Sequence, residues 1–154
     1  MKLIIKLILI FFCIFLTGET YAACNVTSTN INFGNYDVFL TTPRDATGSI
    51  TVSCDESPPP NVIISIGPSP NSGGFNPRKM RHSSRPDLLN YNLFTTSSMN
   101  VVWGDGTSGT STVTLKNVKK TEPPRVTTVY GRIPAGQDVS AGTYSETLTV
   151  IIMW

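Results

Sequence analysis

Three cysteines and a single histidine carry most of the reactive chemistry in this sequence. Cys13 lies inside an apolar N-terminal run, whereas Cys24 and Cys54 lie further along. A metal site would need several ligands converging. His82, in the polar stretch KMRHSS, has no histidine to join it, and the two later cysteines are better used on each other. Ser83 and Ser84 follow His82 directly, which is not how a nucleophile, a base and an orienting acid are assembled. His82 therefore reads as an exposed loop histidine. The glycine-rich GDGTSGT at residues 104–110 lacks the lysine and following helix of a phosphate loop and reads as a turn. The acids Asp37, Asp45, Asp55, Asp87, Asp105 and Asp138 are scattered among turns, with no paired-carboxylate spacing. Asn25-Val26-Thr27 matches a glycosylation sequon, a pattern common by chance. No catalytic residue, metal ligand, cofactor or small-molecule substrate is expected, and the sequence does not read as an enzyme.

The N-terminus explains the fate of the cysteines. Lys2 and Lys6 precede an unbroken apolar run over residues 7–16, followed by a short polar exit with Thr20 and Ala22 suited to cleavage before Ala23. The run is short of the roughly 20 residues of a membrane span. Residues 1–22 are read as a secretory signal peptide and residues 23–154 as one domain. The alternative, cleavage before Cys24 with lipidation, is disfavoured by Tyr21, where such a signal prefers a small aliphatic residue. Cleavage removes Cys13, two lysines and one glutamate, leaving ten basic and nine acidic residues. A net charge of +1 gives no basis for attracting nucleic acid or a membrane surface. An even pair of cysteines in an exported chain points to a Cys24–Cys54 disulfide, against the alternative of two separate buried thiols. The periplasm or the cell surface is the expected location.

The elements that must position these residues are strands. The sequence shows no apolar three-and-four spacing sustained over ten residues, so no helix is expected. Residues 24–33, 61–66, 89–94, 101–103, 112–115 and 126–133 read as short strands. GSITVSC at residues 48–54 alternates, with Ile50, Val52 and Cys54 on one face. Gly, Pro, Asn and Asp punctuate these runs, which argues for an antiparallel sandwich. Residues 67–84 read as a long loop with Pro68, Pro70, Gly73, Gly74 and Pro77. The last strand, residues 144–154, places Leu148, Val150, Ile152 and Trp154 on one face. So apolar a strand at a terminus is either internal to its sheet or paired with a neighbour from elsewhere.

Together these motifs resemble the spore coat protein U domain family, the domain of archaic chaperone–usher pilus subunits. The matching stretches run in order: Cys24 with NFGNY at 32–36, TGSITVSC at 47–54, RKM at 78–80, LNYNLF at 89–94, VWGDG at 102–106, TVYGRIPAGQ at 128–137 and GTYSETLTV at 142–150. The resemblance implies an all-β, immunoglobulin-like antiparallel sandwich lacking its final strand. In such subunits a groove is filled first by a strand of a periplasmic pilus chaperone. A strand of the next pilin subunit then replaces it at an outer-membrane usher. This is β-augmentation, with main-chain hydrogen bonds giving affinity and alternate side chains filling pockets. The expected groove residues are Ile31, Phe33, Leu148, Val150, Ile152 and Trp154; the alternative is that they are ordinary core of a complete sandwich.

The resemblance also implies a role in surface adhesion and biofilm formation. Polymerising pilins of the family carry a donor extension before the first cysteine. Here only Ala23 would precede Cys24, so a tip or tip-proximal minor subunit is expected. Apolar residues in candidate loops, Phe75, Met99 and Val101, are the expected surface contacts. The alternatives are a spore or cell-envelope coat protein, which the absence of neighbouring chaperone and usher genes would favour, and a small secreted carbohydrate-binding module using Tyr36, Tyr91, Trp103 and Tyr130.

Overall fold

A computed structural model describes residues 23–154; the expected signal peptide lies outside them. The strands are β1 (Cys24–Ser28), β2 (Arg44–Cys54), β3 (Val62–Ile66), β4 (Arg78–His82), β5 (Leu88–Phe94), β6 (Val113–Leu115), β7 (Arg125–Ile133), β8 (Tyr144–Ser145) and β9 (Val150–Met153). They form two antiparallel sheets, a six-stranded one in the order β1-β2-β7-β5-β4-β8 and a three-stranded one in the order β6-β3-β9. This is the expected immunoglobulin-like sandwich.

Period-two patterning builds the core. In β2 the inward set Ile50, Val52 and Cys54 is buried, and in β7 the inward set Val129, Gly131 and Ile133 is buried beside it. The long β2–β7 ladder aligns them, pairing Gly48 with Val129 and Ala46 with Gly131. The short sheet closes the core from the other side with Val62, Ile64 and Ile66. Between the layers Trp103 is fully buried and donates Nε1–H to the Ile64 carbonyl at 3.0 Å. Cys24 and Cys54, directly opposite each other in the β1–β2 ladder, are joined as the expected disulfide.

Several sequence expectations shift. The stretch 67–84 is not all loop, because its end forms β4 between β5 and β8. His82 is consequently buried, not exposed: Nδ1 accepts the backbone N–H groups of Ser84 and Arg85, and the ring meets Tyr144 edge-on at 4.9 Å. Residues 101–103 make only isolated bridges, Phe94 with Val102 and Trp103 with Ser111. The first strand stops at Ser28, and the last is interrupted. Its first part pairs with β4 in the large sheet and its second with β3 in the small one, so residues 146–149 carry the chain between layers.

Arg78 pins the layers where β3, β4 and β5 converge. It is fully buried, with Nη1 donating to Asn92 Oδ1 at 2.9 Å. Nη2 donates to the carbonyls of Ile66, Gly67 and Trp103 at 3.3, 3.0 and 2.8 Å. Burial lowers its basicity, and the nearby Glu146 charge opposes that effect.

Candidate strand-acceptor cleft

Three strands do not cover six. Beyond β9 the small sheet stops, and the inner face of the large sheet is left partly uncovered. A cleft lies there, made of two adjoining hollows of about 450 and 830 Å³ that share Ile31, Phe33, Met80 and Tyr144. Ile50, Leu89, Tyr91, Leu93, Val129 and Ile133 contribute its apolar floor.

One wall is the irregular stretch after β1. Ile31 and Phe33 descend onto the large sheet because glycine leaves them room. A Cβ on Gly48 would stand 2.7 Å from Ile31 Cγ1, and one on Gly131 would stand 2.7 Å from Phe33 Cζ. Phe33 also meets Tyr91 edge-on with centroids 6.0 Å apart, and its carbonyl accepts Arg44 Nε–H at 2.7 Å. Further along, Tyr36 ties this wall to the turn after β7, donating to the Pro134 carbonyl and accepting from the Gln137 backbone N–H. Among the described residues, the main chain between residues 30 and 36 makes no bond to other main chain.

The opposite wall is residues 139–150. From Tyr144 to Ile152 every second residue turns inward: Tyr144, Glu146, Leu148, Val150 and Ile152 are half-buried, and the residues between them are exposed. Among the described residues, β9 pairs with β3 along one edge and has no strand along the other. Two walls whose cleft-facing edges have no strand partner among the described residues, set over an apolar floor, are the shape left when one strand is missing from a layer.

The smaller hollow carries a charged group, Glu146. Glu146 Oε1 accepts Ser69 Oγ–H at 2.5 Å and Asn71 Nδ2–H at 3.0 Å, and Oε2 accepts the Tyr91 hydroxyl at 2.6 Å. Burial first, and the bond to Glu146 second, push the Tyr91 hydroxyl well above the ordinary tyrosine range, so it stays a neutral donor. Among the described residues no three His, Cys, Asp or Glu side chains gather as metal ligands would.

Of the residues expected from sequence, Ile31, Phe33, Leu148 and Val150 line this cleft. Ile152 keeps the inward parity but packs against the core beyond the lining, and Trp154 is half exposed, donating Nε1–H to Glu56 at 2.7 Å. Sequence reading missed Glu146 and Tyr144. Their parity with Leu148 marks them as inward, but an acid and a tyrosine are poor hydrophobic signals. The expected exposed loop residues are also displaced. Phe75, Met99 and Val101 are partly covered, Phe75 lying over the Arg78 guanidinium, whereas Phe39 is 89 % exposed at the tip of a turn.

Comparison with known proteins gives the fold a family. Protein U of Myxococcus xanthus is 31% identical over 130 residues, covering 79% of this chain and 70% of its own length. Among solved structures, the chain resembles part of the CsuC–CsuE chaperone–tip adhesion subunit pre-assembly complex from archaic chaperone-usher Csu pili of Acinetobacter baumannii. The TM-score is 0.56 at 26% identity, covering 86% of this chain but only 40% of that one. The Escherichia coli Hda pilus minor tip subunit HdaB aligns with a TM-score of 0.41 at 16% identity, over 83% of this chain and 79% of its own. The Spore Coat Protein U domain profile matches residues 11–151, which take in the paired cysteines, both walls of the cleft and the large sheet between them, and the chain belongs to that family.

Proposed function

We propose that this chain is a structural subunit of a chaperone–usher surface pilus, completed by a β-strand from another polypeptide. The observation that carries the reading is the cleft: two walls whose cleft-facing edges have no strand partner among the described residues stand over an apolar floor, at the edge where the small sheet ends. An extended strand laid there would pair with both walls and cover Ile50, Leu93 and Val129. The likeness to a chain of a chaperone–subunit complex supports a periplasmic chaperone as first occupant and a neighbouring pilin as second. Passage through an outer-membrane usher, exposure at the cell surface, a tip or tip-proximal position, and a part in adhesion and biofilm formation belong to the same proposal. A coat subunit using the same domain is the second reading, favoured by the 31% identity to Protein U.

The test is to refold the purified chain with and without extended synthetic peptides carrying valine at alternate positions. The expected result is aggregation or loose structure alone, and a cooperatively unfolding monomer with peptide. A chain that is monomeric, compact and cooperative alone, and indifferent to peptide, overturns the proposal. Tip placement has its own readout. With donor peptide from a cognate pilin the chain stays capped and single, and head-to-tail polymers of this chain alone would remove it from the tip.

A further inference from the structure

We propose that Glu146 selects the residue a complementing strand carries at one register position: a side chain with a neutral hydroxyl or amide donor, set within an otherwise apolar inward row. The inference rests on the strand-acceptor reading above and adds the chemistry of the occupant.

Among the described residues, Glu146 is the one charged side chain lining the smaller hollow. It shares the inward face with Leu148 and Val150, so an inserted strand must pass it. A carboxylate has about four lone-pair positions. Ser69, Asn71 and Tyr91 take three, two on Oε1 and one on Oε2, which leaves Oε2 an acceptor to spare. Glu146 is half-buried, and an occupant laid over it would cut that position off from solvent. A valine or leucine opposite would leave a buried carboxylate acceptor without a partner.

An ammonium is also a poor match, because the buried Arg78 already supplies a positive charge close enough to Glu146 for the two to influence each other. A serine, threonine or asparagine meets the need without a second cation. Elsewhere in the row, opposite Leu148 and over Ile50 and Leu93, apolar side chains are required. The occupant therefore reads as alternating apolar residues with one polar interruption, which fixes its register.

The test is a scan. In a peptide with valine at every inward position, serine replaces one valine at a time, and affinity for the refolded full chain is measured. Serine is expected to bind about tenfold tighter than valine at one position and more weakly at the rest. Glu146→Leu is expected to reverse the preference at that position. Should Glu146→Leu fail to fold, the scan on the unaltered chain stands beside a carbon-13 measurement, in which the Glu146 carboxyl resonance moves with the serine peptide and not with valine. Serine weakening binding equally everywhere, or a preference that survives Glu146→Leu, overturns the role of Glu146 and leaves the strand acceptor intact. Failure of every peptide to bind overturns both.

Discussion

The ring of Phe33 occupies the space a side chain at position 131 would need: a Cβ on Gly131 would stand 2.7 Å from Phe33 Cζ and 3.0 Å from Cε1. The absence of a side chain on β7 thus lets the wall after β1 settle against the large sheet. Gly131→Ala is expected to lift Phe33 and cost about 1–3 kcal/mol by overpacking. Gly74, with nothing within 4 Å, is the control; Gly74→Ala should stay within about 0.5 kcal/mol. Urea unfolding of the two variants, refolded with a strand peptide, checks both. Equal stabilities would mean that Phe33 does not depend on Gly131.

Tyr91 connects stability to the Glu146 carboxylate in the smaller hollow. Tyr91→Phe leaves Glu146 Oε2 without its 2.6 Å donor, and a loss of about 1–3 kcal/mol at neutral pH is expected. The pH dependence has a definite sign. The folded state holds the Tyr91 proton more tightly than the unfolded chain does. That stabilisation is complete below the unfolded tyrosine value of about 10 and falls away as pH rises beyond it. The Tm gap between the native chain and Tyr91→Phe should therefore narrow above pH ~10. A constant gap would place the effect of Tyr91 in packing alone.

Much of this was legible in the sequence because strands announce themselves by alternation. Ile50, Val52 and Cys54 in β2 could be assigned to the core on period alone, as could Leu89, Tyr91 and Leu93 in β5. β4 was hidden because its inward residues are Arg78, Met80 and His82. Two of these are polar, and their burial depends on partners distant in sequence: the Trp103 carbonyl for Arg78, and the Ala141 carbonyl for His82. Glu146 escaped for the same reason. The break between β8 and β9 was also invisible, since period two continues unbroken from Tyr144 to Ile152 while the hydrogen-bonded partner changes from β4 to β3.

The disulfide fastens the strand that leads into the cleft wall. Among the described residues, β1 pairs only with β2, and Cys24 and Cys54 are cross-strand neighbours with a sequence separation of 30. Replacing both by serine is expected to cost about 2–4 kcal/mol. The loss should be local as well as global. In native-state hydrogen exchange, the amides of β1 should exchange faster while those of β7, held between β2 and β5, keep their protection. Uniform acceleration across both strands would show that β1 does not open separately.

Asp45 and Arg132 offer an electrostatic test on the outer surface. Arg132 Nε and Nη2 donate to the two Asp45 oxygens, each at 2.7 Å, across the β2–β7 ladder. The hydrogen bond from Arg132 holds the Asp45 carboxyl below the ordinary carboxylate range, so the contribution is present above the unfolded carboxylate value of about 4 and lost as pH falls through the folded one. Because the side chains are 38% and 41% exposed, solvent screens the pair. Asp45→Asn should cost at most about 1 kcal/mol. Raising salt should shrink that difference, and acidifying below pH ~4 should erode it until it vanishes below the lowered Asp45 value. A cost that persists at low pH would belong to packing rather than charge.

Arg78 is where a conservative exchange should fail most. Its guanidinium reaches Asn92 through one nitrogen and the carbonyls of Ile66, Gly67 and Trp103 through another, an arrangement that needs a planar fork. Arg78→Lys keeps the charge but brings a single ammonium to a site with four acceptors. Arg78→Met removes the charge as well, leaving the carbonyls unpaired and Glu146 without the cation that balances it. Breaking such a buried arrangement costs about 3–5 kcal/mol. Both variants should therefore lose most of the fold's margin, with methionine the worse because it disturbs Glu146 too. Peptide complementation separates the two effects: where Arg78→Lys folds at all, its preference for serine opposite Glu146 should persist, because the carboxylate keeps its three donors and a nearby positive charge. Loss of that preference in a folded Arg78→Lys chain would mean that the guanidinium itself holds the Glu146 network in place.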